Sequence, residues 1–244
     1  MHATLTGVTQ AAQIKLRYAV DARADEWAIP EDYPVPESVP HEIAAHHLLD
    51  VLRHWASRAA RPLFVPYNFA IRWIEERPQV GIDPDVCVLD PPPPDVMSLK
   101  SLRLWRPGHV APQICFEVVS ETHTYKDYRD VHERYAAFGA RELVVFDPLL
   151  SGPKSMGGPF SLQVWRREAG VFDRVYAGGG PVFCETLKAW LVVDGRLLQL
   201  ANDSEGRDRW LTEAEQSRAE AEQSRAEAER LRAELAELRT KTEK

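Results

Sequence analysis

Ile114-Cys115-Phe116-Glu117-Val118-Val119 has the length and the apolar, β-branched content of a buried strand, with one carboxylate set among the hydrophobic side chains. An unpaired carboxylate in that position would give up its charge or destabilise the fold by roughly several kcal/mol, so Glu117 requires a cation or hydrogen-bond donors. Upstream, Asp85 opens a second apolar run, Val86-Cys87-Val88-Leu89, immediately after Pro84. Two acids at or inside adjacent strands converge naturally on one divalent ion. Hard oxygen ligands suit Mg2+ or Mn2+, which keep several waters and leave room for a phosphate.

Downstream of this strand the spacing predicts a helix between Tyr125 and Phe138, closed by Gly139 where a helix C-terminus prefers glycine, and then a buried strand Leu143-Val144-Val145-Phe146 before Asp147-Pro148. Strand, helix, strand in that order implies a right-handed crossover and a parallel pair within a mixed sheet. Ser120 is read as a turn or cap after the first strand, since no His or acid is placed by sequence to activate it as a nucleophile.

Upstream, Ala44, Leu48, Val51, Leu52 and Trp55 recur at helical spacing within His41 to Ala59. The histidines there, His41, His46, His47 and His54, form no tetrahedral metal pattern and are read as packing residues. Glu42 reads as a partner of the helix dipole, with an outer metal ligand as the alternative. Phe64 to Ile74 alternates apolar and polar residues and reads as a strand with one buried face. Ser98 to Trp105, with Lys100, Arg103 and Arg106, reads as a short basic connection. Beyond Leu149, Leu162 to Arg166, Val171 to Tyr176 and a hairpin around Asp194-Gly195 read as covering strands.

Residues 1–37 form an N-terminal extension, with a possible strand at Ile14 to Val20 and a Pro-rich segment at Pro30 to Pro40, and no function is legible in it. The main domain is expected over 38–206, with a heptad-repeat helix over 207–244. In that tail Ala214, Ala221, Ala228 and Leu235 share one seam position of the heptad, and Ser217, Ser224, Leu231 and Leu238 share the other. Arg218, Arg225, Arg232 and Arg239 fall at e, and Glu220, Glu227 and Glu234 at g, so a homodimer through residues 210–239 is one reading and a lone solvated helix the other.

Composition narrows the function classes. The chain has 244 residues and a net charge of −7, and the residues before Arg207 carry 21 basic and 27 acidic side chains. A non-specific DNA binder usually shows a basic excess, which is missing here. The three cysteines, Cys87, Cys115 and Cys184, sit among apolar neighbours without metal-ligand spacing, which fits thiols in a reducing compartment. No run approaches the ~18 apolar residues of a membrane span, and no signal-peptide core is present near the N-terminus, so a cytoplasmic protein is expected.

Pro84-Asp85, the stretch Ala111 to Ser120 and the stretch Tyr135 to Pro148 together resemble the Uma2 family of restriction-endonuclease-like proteins, over roughly residues 30 to 200. The resemblance places the chain in the PD-(D/E)XK nuclease superfamily and implies an α/β (α+β) fold with a mixed central β-sheet flanked by helices. It also implies Mg2+- or Mn2+-dependent hydrolysis of DNA phosphodiesters. Asp85 would be the first metal ligand and Glu117 the second, with the carbonyl of Val118 offered to the same ion. The superfamily places a lysine two residues after the glutamate, where this chain has Val119. The family pattern moves that lysine onto the following helix, after Asp127 and before Tyr135, and this chain has Val131 there. Lys126 and Arg134 are then the candidate catalytic cations. Arg134 shares a helical face with position 131, whereas Lys126 points elsewhere but carries a long flexible stem. The alternative is a nuclease-fold binding or assembly module that has lost catalysis and oligomerises through its tail.

Overall fold

The computed structural model describes residues 38–120, 124, 128, 131–168 and 171–242. The strand expected at Ile14 to Val20, most of the Pro-rich segment, Lys126 and Asp127 lie outside the described residues. The chain divides into two units, Met1–Trp210 and Leu211–Lys244.

In the first unit, helix α1 (Val39–Ser57) begins with Pro40 in its first turn and buries Ala44, Leu48, Val51 and Leu52, as the spacing predicts, together with Ala45 and Leu49, while Trp55 is partly buried against the same core. Glu42 stands exposed in the first turn, where it complements the positive end of the helix dipole. The central sheet has five strands in the order β3 (Val86–Val88), β5 (Ile114–Val118), β6 (Glu142–Phe146), β7 (Leu162–Glu168) and β8 (Val171–Gly178). Strands β5 and β6 are parallel and the other neighbours antiparallel, so the sheet is mixed. Helix α2 (Val131–Phe138) lies between β5 and β6 in sequence and ends at Gly139, which adopts φ 95°. That left-handed conformation is one a side chain resists and glycine accepts.

Phe64 to Ile74 is not one strand: Phe64 and Tyr67 bridge to Leu89 and Val86 beside β3, and only β1 (Ala70–Arg72) is regular. Pro66 has no N–H to donate, and Asn68 turns through φ 44°, which sends the rest of the run into a different sheet. Ser98 to Trp105 is likewise more than a connection. It contains β4 (Ser101–Arg103), which pairs in parallel with β1 and buries Leu102 opposite Ile71. With β2 (Gly81–Ile82) these strands make a three-stranded sheet, β2-β1-β4.

Strands β7 and β8 extend the central sheet rather than cover it. A third sheet, ordered β11-β10-β9, is built from β9 (Val182–Cys184), β10 (Ala189–Asp194) and β11 (Leu197–Ala201). Its hairpin turns on Gly195-Arg196, with Gly195 at φ 60° as the first turn residue and Asp194 still paired to Leu197. Trp210 closes this unit by stacking on Trp55, with ring centroids 5.4 Å apart.

One face of the central sheet, bearing Ile114, Phe116 and Val118, packs with α1 and with β10 and β11. The other face, bearing Cys115 and Val119, packs with Tyr135 and Phe138 of α2. The alternation along β5 therefore directs Glu117 toward α2.

The second unit contains helix α3 (Glu213–Thr242). A reciprocal capping pair starts it: Thr212 Oγ1 accepts from the Glu215 amide at 3.2 Å, and Glu215 Oε2 accepts from the Thr212 amide at 2.9 Å. Among the described residues, no helix is long and apolar enough to cross a membrane.

Candidate functional site

Strand β5 is buried throughout, and Glu117 within it is 1% exposed. Its Oε1 accepts a hydrogen bond from the Tyr135 hydroxyl at 2.5 Å. Tyr135 is itself fully buried and lies against Phe138 of the same helix. Burial, together with the negative charges of Glu117 and Asp85, raises the Tyr135 phenol well above its ordinary value. The phenol therefore stays protonated and acts as donor, which a carboxylate needs in an apolar wall.

Asp85 precedes β3 and is 6% exposed. Its Oδ2 accepts from the Val118 amide at 2.7 Å and from His41 Nε2 at 3.1 Å. A carboxylate only accepts, so the imidazole hydrogen is on Nε2. In the β3–β5 ladder Val86, the residue after Asp85, faces Phe116, the residue before Glu117. The two acids thus lie near one end of the sheet, Asp85 held to the first turn of α1 through His41 and Glu117 to the middle of α2 through Tyr135, and the charges of both act on the Tyr135 phenol.

Arg134 stands beside Tyr135 on α2 and is half-buried, and Lys126 lies outside the described residues. The sequence points to Asp85, Glu117, Val118, Arg134 and Lys126, and the fold joins Asp85 to the amide of Val118, next to Glu117. The sequence does not point to Tyr135 or His41 as the donors that hold the two acids. Tyr135 could have been inferred from its spacing on the helix that follows the Glu117 strand. Nothing local in the sequence connects His41 to Asp85.

The two carboxylates and the Val118 carbonyl are oxygen donors, which fit a hard cation that keeps part of its water. Among the described residues no group of three or more His, Cys, Asp or Glu side chains is placed to hold a metal ion. The three cysteines are free and buried, as expected.

Two further buried acids act differently. Asp147, at the end of β6, accepts from the Tyr128 hydroxyl at 2.9 Å and from the amides of Ser151 and Gly152, and so pins the loop that follows. Glu142 accepts from Arg166 at 3.1 Å and from the Thr186 amide at 2.9 Å, which ties the central sheet to the segment before β10.

A crystal structure described as that of a "putative nuclease belonging to DUF820" from Anabaena variabilis ATCC 29413 is similar at 12% identity and a TM-score of 0.44, over 64% of this chain and 76% of that one. No curated protein matches the chain. The family model Uma2, described as "Putative restriction endonuclease", matches residues 25–179, a span that includes Asp85, Glu117 and all of α2. With more than half of its length matched, the chain belongs to the Uma2 restriction-endonuclease-like family.

Proposed function

We propose that the protein is a metal-dependent endonuclease that hydrolyses DNA phosphodiester bonds at Asp85 and Glu117. The observation that carries this reading is that two buried acids on neighbouring strands lie close together, with Asp85 accepting from the amide of Val118, the residue after Glu117, and both charges acting on the Tyr135 phenol. Asp85 and Glu117, with the Val118 carbonyl, would hold Mg2+ or Mn2+. When bound, that ion supplies an acidified water and neutralises charge developing on the phosphate. His41 and the Val118 amide orient Asp85, and Tyr135 orients Glu117. Arg134 is always charged and can stabilise the transition-state phosphate but cannot act as a base, whereas Lys126 could do either. Because the body is acidic, phosphate binding must rest on local cations rather than on a general basic field. The free thiols suit a reducing, cytoplasmic setting.

The test is cleavage of a mixed panel of single- and double-stranded DNA by the full chain with Mg2+, Mn2+ or EDTA, alongside calorimetric titration of Mn2+. Asp85→Asn and Glu117→Gln are expected to lose cleavage by about 100-fold or more, with Mn2+ affinity reduced and the fold retained. Cleavage indifferent to EDTA, or both variants cutting like wild type, would reject the proposal.

Val131, standing where the family pattern has lysine, favours a second reading, a binding or assembly module without catalysis. Mn2+ binding without cleavage of any substrate would select it.

A further inference from the structure

We infer that helix α3 pairs with the same helix of a second copy of this chain, parallel and in register. The inference is independent of the chemistry at Asp85 and Glu117.

The large apolar side chains of α3 are Leu231, Leu235 and Leu238, and they are 47%, 56% and 59% exposed. Steps of four and three residues put them on one stripe, which fixes the heptad phase as d, a, d. Carried back along the helix, the same phase places Ala228, Ser224, Ala221, Ser217 and Ala214 on that stripe. These side chains are small enough to let two helices approach closely, and the leucines supply an apolar end to the seam.

The flanking charges decide orientation. In a parallel pair each g residue meets the e residue five positions later on the partner, so Glu220 faces Arg225, Glu227 faces Arg232 and Glu234 faces Arg239, each from both sides. An antiparallel pair would set g against g and e against e, which opposes glutamate to glutamate and arginine to arginine. A shift of one heptad would drop an ion pair on each side and put Leu231 opposite serine or Leu238. Orientation and register are therefore both specified by the sequence of the helix, and the occupant that satisfies them is this chain itself.

The experiment uses full-length protein. Sedimentation equilibrium at about 100 µM, where a Kd of micromolar order is readable, is expected to give a mass near twice 27.7 kDa. Ser217→Cys, on the seam near the start of the helix, is expected to oxidise to an interchain disulfide at least about tenfold faster than Ala219→Cys, which faces away. The native cysteines are buried and provide the background.

A triple charge reversal at g (E220K, E227K, E234K) and another at e (R225E, R232E, R239E) should each be monomeric, and their equimolar mixture should form a heterodimer. A monomeric wild type, a mass of three copies or more, equal cross-linking at 217 and 219, or no rescue on mixing would each overturn the inference.

Discussion

Replacing Tyr135 with phenylalanine keeps the buried ring and deletes the donor that meets Glu117 Oε1 at 2.5 Å. A hydrogen bond to a charged acceptor contributes about 1.5–3 kcal/mol, and removing it leaves a carboxylate that is 1% exposed without that partner. The expected loss at pH 7 is about 2 kcal/mol in urea unfolding. The difference should then depend on pH. Burial first, and the charge of Glu117 next, hold the Tyr135 phenol above its ordinary value, so the native state keeps a proton that the unfolded chain releases above about pH 10.

The contribution of a group whose folded pKa is raised is complete below the unfolded pKa and declines as pH rises beyond it. For wild type that decline is about 1.4 kcal/mol per pH unit from this group, whereas the phenylalanine variant has no such proton to lose. The two stabilities should therefore converge as pH rises above about 10. Urea midpoints followed by circular dichroism from pH 8 to 11.5 measure this, with all other titrating groups common to both proteins. A difference that stays constant over that range, or a variant as stable as wild type at pH 7, would refute the reasoning.

Other perturbations test other contacts. Glu142→Ala takes one acceptor from Arg166, which keeps Glu168 and the Phe183 carbonyl, and leaves the Thr186 amide without its carboxylate, and should cost about 1–3 kcal/mol in urea unfolding, with Glu142→Gln milder. A Cβ on Gly152 would lie 2.1 Å from the Tyr128 ring, so Gly152→Ala should cost about 1–3 kcal/mol by overpacking. In a Tyr128→Leu background that cost should largely vanish, and equal costs in both backgrounds would deny the clash. His41→Gln removes the imidazole from Asp85 and should lower stability by about 1 kcal/mol, read as a reduced urea midpoint with unchanged slope. Thr212→Ala breaks the capping pair of α3 and should reduce helical ellipticity of the full chain through fraying from residue 213, at a cost of about 1 kcal/mol to that helix.

The sequence by itself determined what periodicity and local turn chemistry encode. Helix α1 follows from its apolar spacing, the β5–α2–β6 crossover from two apolar runs around a helix that ends at Gly139, and the phase of α3 from its repeat. The resemblance carried by Asp85, Glu117 and Tyr135 to Pro148 was legible for the same reason, because each fragment is contiguous. Tertiary structure alone decided the rest. The break at Asn68 and the pairing of β4 with β1 follow from which sheet can bury Ile71 and Leu102, a preference no alternating pattern expresses. The donors to the two acids reach across 44 residues from His41 to Asp85, 33 from Asp85 to Val118 and 18 from Glu117 to Tyr135. A buried carboxylate announces in sequence that it needs a partner, and only packing selects which side chain the chain brings to it.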